Sequence, residues 1–131
     1  MPVIDLNCDL GEGAGEDADL MSVISSASIA CGAHAGDPDT MRRTLRLARR
    51  AGVAAGAHPG LADRAGFGRT GIAITPDEVE SLVRTQVGAL AALAAGEGIR
   101  LRHVKPHGAL YARAARDAAI AAAVARAVRS V

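Results

Sequence analysis

Asp37-Pro-Asp-Thr-Met-Arg-Arg-Thr-Leu-Arg-Leu-Ala-Arg-Arg-Ala-Gly-Val-Ala-Ala-Gly-Ala-His-Pro59 contains a helix, a stop and a strand in one run. Asp37 is a side-chain cap and Pro38 occupies the first helical position, where a missing N–H costs nothing. Met41, Leu45 and Ala48 recur at helical spacing and form the buried stripe, and Gly52 ends the helix. Val53 to Ala57 then reads as a strand that delivers His58 to its carboxyl end. The arginines at 42, 43, 46, 49 and 50 share this helix and read as its solvated face.

The same alternation extends in both directions. Val3-Ile-Asp-Leu-Asn-Cys-Asp-Leu10 alternates apolar and polar side chains, so a first strand sends Ile4, Leu6, Cys8 and Leu10 to one face and Asp5, Asn7 and Asp9 to the other. Two acids and an amide on one face require a polar cavity or partner cations. Gly11 to Gly15 end the strand, a short helix spans about residues 16–24, and a second strand runs from about Ser28 to Gly32. After the third strand comes a glycine-rich loop, His58 to Gly71. Thr75-Pro-Asp-Glu78 is a capping box that opens the longest helix, whose core face carries Val79, Leu82, Val83, Leu90 and Leu93. Leu101 to Lys105 reads as a fourth strand ended by Pro106, with a helical turn near Leu110 and an alanine-rich helix from Asp117. Four βα units predict an α/β fold with a parallel sheet and right-handed crossovers. Residues 1–131 read as a single α/β domain, and a last helix that stops in mid-pattern reads as a chain cut short.

Composition narrows the function. A net charge of +1 provides no field for collecting phosphates, which argues against nucleic acid as a partner. No apolar run is long enough to span a membrane and no targeting segment opens the chain, so the expectation is a cytoplasmic protein without a membrane partner. Cys8 and Cys31 read as buried thiols in a reducing compartment, and their spacing from the histidines does not favour a Cys–His nucleophile.

All four histidines, His34, His58, His103 and His107, and the one lysine, Lys105, fall where apolar runs give way to glycine or proline. Parallel sheets bind ligands outside the carboxyl ends of their strands, so these residues point to a shared polar site. Asp9, His34 and His58 end adjacent strands and form either a facial metal site or an acid–base set around a substrate. Lys105 is a candidate general base or a clamp for phosphate or carboxylate, with His103 and His107 as acid–base groups beside it. The loop offers Arg64 and Arg69 for anions and Phe67 as a cover, and its glycines permit either a lid or an ordinary crossover. Asn7 and Tyr111 complete the candidate binding residues.

Four blocks carry a resemblance: Asp5-Leu-Asn-Cys-Asp-Leu-Gly-Glu-Gly13; Ile29-Ala-Cys-Gly-Ala-His-Ala-Gly-Asp-Pro38; Gly56-Ala-His-Pro-Gly60 with Gly66-Phe-Gly-Arg69; and His103-Val-Lys-Pro-His-Gly-Ala-Leu-Tyr111. Together they resemble the LamB/YcsF family, which includes the A subunit of bacterial 5-oxoprolinase. The resemblance implies a distorted parallel β/α barrel of the glycoside hydrolase/deacetylase type, of which this chain is the N-terminal portion. It also implies hydrolysis of 5-oxo-L-proline to L-glutamate with cleavage of ATP to ADP and phosphate, in a complex with B and C subunits. ATP would phosphorylate the lactam oxygen and so expose the ring carbon to water. On that reading Asp9, Lys105, His103 and His107 are catalytic. Asn7, Arg64, Phe67, Arg69 and Tyr111 bind substrate or nucleotide, and Asp9, His34 and His58 hold a divalent ion such as Mg. Two alternatives stand beside it: a metal-dependent deacetylase using Asp9, His34 and His58, and a catalytically silent fragment that pairs through its open sheet edges.

Overall fold

The computed structural model describes residues 1–131. Three parallel strands form the sheet in the order β1 (Asn7–Leu10), β2 (Ser26–Ala30) and β3 (Ala54–His58). Five helices follow or separate them: α1 (Asp17–Leu20), α2 (Pro38–Ala51), α3 (Pro76–Gly96), α4 (Gly108–Ala114) and α5 (Ala118–Arg129). This is the α/β class expected from the sequence, with the expected parallel sheet.

The helix ends obey local chemistry. The Asp37 carboxylate accepts from Thr40 N–H, and Gly52 closes α2 with φ of 70°, a left-handed conformation that side chains resist. Thr75 and Glu78 exchange the two bonds of a capping box, and Asp117 caps α5 through Ala119 and Ile120 N–H. Met41, Leu45 and Ala48 of α2 and Val79, Val83 and Leu90 of α3 are buried as their spacing requires, while Leu82 and Leu93 are half-buried against the core.

The sheet has two unlike faces. Register pairs Asn7 with Ser26, Asp9 with Ser28, Ser28 with Gly56 and Ala30 with His58, so these residues share one face. Cys8, Leu10, Ala27, Ile29, Ala55 and Ala57 share the other and pack on the helical layer. The core sits between that layer and the sheet, which leaves the polar face free to build a site.

Three boundaries differ from expectation, each for want of a hydrogen-bonding partner. Val3, Ile4 and Leu6 lie outside β1 and are 94%, 85% and 54% exposed. β2 starts only at Ser26, so nothing flanks residues 3–5. α1 is four residues long, and the chain beyond it turns through i to i+3 bonds, Ser22 N–H to Asp19 and Val23 N–H to Leu20. The expected fourth strand is a single bridge, Ala57 with Val104. Residues 102–105 still run along β3: Arg102 and Lys105 N–H donate to Ala55 and Ala57, and Ala57 N–H donates to the His103 carbonyl. Their far side has no strand to complete a ladder. No helix is long and apolar enough to cross a membrane.

Candidate functional site

Asp9 lies one residue before the end of β1, and the turn beyond it is Gly11-Glu12-Gly13. That turn is anchored where Asp17 accepts from Gly11 N–H at 2.9 Å and from the Thr44 hydroxyl at 3.2 Å, which aims Glu12 back over the polar rim. His34 follows β2 in a turn closed by Gly32 N–H on the Ala35 carbonyl. His58 ends β3 itself. His107 is fixed by its own N–H on the Pro59 carbonyl, at the residue before α4.

Three buried imidazoles meet there. His34, His58 and His107 are 1%, 2% and 5% exposed. The rings of His34 and His107 stack at 3.8 Å, and Phe67 meets both edge-on at 5.4 and 5.1 Å. Glu12 Oε1 is 2.8 Å from His34 Nε2, 3.7 Å from His58 Nε2 and 3.6 Å from His107 Nδ1. One ligand atom from each of Glu12, His34, His58 and His107 lies within 4.8 Å of all the others, a spacing suited to one metal ion.

Asp9 stands beside this group. Its Oδ2 is 3.3 Å from His58 Nε2, and its Oδ1 is paired with Lys105 Nζ at 2.5 Å. Burial raises the Asp9 carboxyl, but hydrogen bonds from His58 and Lys105 and their charges outweigh it, leaving the group well below the usual carboxylate range. For Glu12, too, burial is outweighed by the His34 hydrogen bond and the charges of the three imidazoles, and the net shift is downward. Both acids are therefore anionic at neutral pH.

The cavity at this rim, about 360 Å³, is lined by Asp9, Glu12, His58, Arg69, Lys105 and His107, with Tyr111 at its mouth. Its volume suits a small ligand. Its lining is almost wholly polar, with Lys105 and Arg69 as its cations and Asp9 and Glu12 as its anions.

Other residues expected at the site stand apart from this cavity. His103 lies over Gly56, lower on the same sheet face, with Nε2 3.1 Å from the Ser28 hydroxyl and 3.4 Å from Asn7 Nδ2. Asn7 is engaged with Ser26, Ser28 and His103. The Arg64 guanidinium clamps the Gly32 and Gly36 carbonyls at 2.7 and 2.5 Å. Phe67 backs the histidines, under the Arg69 guanidinium at 5.1 Å. The loop carrying them is tied down: Asp63 accepts from Gly66, Gly68 and Thr70 N–H, and Ala109 N–H donates to Gly68. Cys31 is buried and its thiol is pushed up to about 12 by that burial, which excludes a thiolate nucleophile beside His34.

Glu12 escaped sequence reasoning, although the signal was present: a carboxylate between two glycines, three residues after Asp9. Reading Gly11 to Gly15 only as a strand stop overlooked it.

Comparison with known proteins gives one answer. A protein from Symbiobacterium thermophilum, named as the A subunit of 5-oxoprolinase, is 61% identical over 130 residues, covering 95% of this chain and 50% of that protein. One of the same name from Chloroflexus aurantiacus is 56% identical, covering 98% and 53%. The crystal structure of the lactam utilization protein from Thermus thermophilus superposes with a TM-score of 0.94 at 48% identity, covering 97% of this chain and 53% of that one. The chain thus spans about half the length of the relatives it matches. Residues 4–131 match the LamB/YcsF family, and on that match the chain belongs to it.

Proposed function

We propose that this chain forms part of a 5-oxoprolinase A subunit, which hydrolyses 5-oxo-L-proline to L-glutamate with cleavage of ATP to ADP and phosphate, in company with B and C subunits. The observation that carries this reading is the polar cavity between Lys105–Asp9 and the buried Glu12–histidine group, in a chain 61% identical to a protein named as the A subunit of 5-oxoprolinase. Opening an unactivated lactam at neutral pH needs charge stabilisation at the carbonyl oxygen and a positioned base for water. The cavity offers both.

In this reading the terminal phosphate of ATP is presented to Lys105 and Arg69, whose charges hold the phosphoryl group as it passes to the lactam oxygen. Water then attacks the ring carbon, the ring C–N bond breaks, and phosphate departs with the oxygen it received. Asp9 keeps Lys105 oriented and charged. His58 and His107 face the cavity and are the groups placed to take the proton of that water, while Tyr111 covers the mouth. Asn7 and His103 support the floor, and Arg64 and Phe67 hold the wall. A divalent ion on the Glu12–histidine group, when bound, supplies further positive charge to the developing oxyanion. The three strands would be the first of a parallel β/α barrel completed by sequence such as the relatives carry in their other half, in the cytoplasm.

The test is glutamate formation from 5-oxoproline by this protein mixed with its B and C partners, with and without ATP. The reading requires ATP-dependent release that Lys105→Ala abolishes; release without nucleotide, or near-normal turnover in the variant, would refute it. The deacetylase alternative requires Asp9 free to ligate beside His34 and His58, whereas Lys105 engages it. The silent-fragment alternative has no support from the fully assembled cavity.

A further inference from the structure

We infer that Glu12, His34, His58 and His107 form a site for a borderline transition-metal ion of the Zn²⁺ or Co²⁺ kind rather than for Mg²⁺. The inference deepens the metal element of the reading above and rests on its assignment of this rim as the active region. Two backbone carbonyls carry the argument. His58 Nδ1 is 2.6 Å from the Lys105 carbonyl and His107 Nε2 is 2.6 Å from the Phe67 carbonyl. A carbonyl only accepts, so both of these nitrogens donate. The remaining nitrogen of each neutral ring, Nε2 of His58 and Nδ1 of His107, then carries a lone pair.

Those two lone-pair nitrogens face each other at 3.1 Å, with no hydrogen available between neutral rings. Glu12 Oε1 and Asp9 Oδ2, both acceptors, crowd the same point. His34 Nδ1 is buried with no partner, so one nitrogen of that ring is unsatisfied in either tautomer. Converging acceptors in a buried pocket are costly unless a cation stands among them. The carbonyls that fix the tautomers are the partners that ligating histidines ordinarily have.

The geometry fits a small tetrahedral ion. With ligand bonds of about 2.05 Å, the edges of a tetrahedron measure about 3.3 Å. The observed separations are 3.1 Å for His58–His107, 3.7 Å for Glu12–His58, 3.6 Å for Glu12–His107 and 2.8 Å for Glu12–His34. Three imidazoles and one carboxylate are the donors of zinc and its neighbours. Mg²⁺ demands six oxygens and retains several waters, which three nearly inaccessible rings and one carboxylate do not supply.

The experiment is calorimetric titration of the metal-free protein with Zn²⁺ and separately with Mg²⁺, together with the visible spectrum of added Co²⁺. The expected result is one Zn²⁺ per chain, bound at least 100-fold more tightly than Mg²⁺, and Co²⁺ bands of a four- or five-coordinate centre. His58→Ala, His107→Ala and the shape-conserving Glu12→Gln each weaken Zn²⁺ by at least tenfold, with folding checked by circular dichroism. His103→Gln leaves the affinity within threefold. Absence of Zn²⁺ binding, Mg²⁺ binding of equal strength, six-coordinate Co²⁺, or an equal loss in His103→Gln would overturn the assignment. Because these titrations need neither ATP nor partner subunits, they can fail while glutamate formation succeeds, and the reverse.

Discussion

His58 and His103 lie on one face of adjoining chain segments and differ in what surrounds them. His58 is locked by the Lys105 carbonyl into one tautomer, with its free nitrogen among Glu12, Asp9 and His107. His103 rests on Gly56 with the Ser28 hydroxyl and the Asn7 amide, groups that can donate or accept as its tautomer requires. The upper region therefore calls for a cation. The lower one is satisfied by itself. A histidine's chemistry is decided by whether its partners can adapt, not by its position at the end of an apolar run.

The largest expected effect tests that contrast directly. His58→Ala should reduce ATP-dependent glutamate formation by the reconstituted enzyme by about 100-fold or more, the scale of a lost acid–base group, whereas His103→Ala should cost less than about tenfold. Equal losses would erase the distinction. Lys105→Met should be nearly as severe in turnover as His58→Ala while changing the urea midpoint little, because a half-exposed ion pair contributes only about 0–1 kcal/mol. A large stability loss would recast Lys105 as a structural residue.

Two glycines sharpen the comparison further. A Cβ on Gly60 would stand 2.5 Å from His34 Nδ1, and one on Gly56 would collide with the His103 ring. Overpacking of this kind costs about 1–3 kcal/mol, so Gly60→Ala and Gly56→Ala should be destabilised alike in urea melts. Only Gly60→Ala should lose Zn²⁺ affinity, since only it displaces a member of the upper group. The smallest effect is a titration. Burial, outweighing the nearby Asp5 charge, holds His103 below the usual imidazole value of 6.5. The unfolded chain therefore takes up this proton first as pH falls, so the His103 contribution to stability is lost below about pH 6.5 and levels off once the folded ring protonates. NMR of the His103 ring should give a midpoint under 6.5, and a midpoint above it would place a charge in the lower network.

Much of this was legible in the sequence, for reasons that differ by residue. Asp37, Gly52, Thr75 and Asp117 mark helix ends because capping is a local matter of a few bonds. The convergence of Asp9, His34, His58, Lys105 and His107 followed from strand ends in a parallel sheet. What was hidden depended on partners distant in sequence. Residues 3–6 alternate like a strand but have no neighbour, and residues 101–105 have one neighbour instead of two. Glu12 reaches the histidines only because Asp17, from α1, anchors its turn, and Arg64 is claimed by carbonyls after β2. The separation of His103 from His107 depends on Pro106 breaking the face they would otherwise share.

The most direct measurement is a crystal structure of the zinc-soaked protein with anomalous data collected at the zinc edge. One peak should lie about 2.0–2.1 Å from His58 Nε2 and His107 Nδ1, with Glu12 and His34 completing the shell. No peak, or one on the Asp9–Lys105 pair or beside His103, would contradict the account.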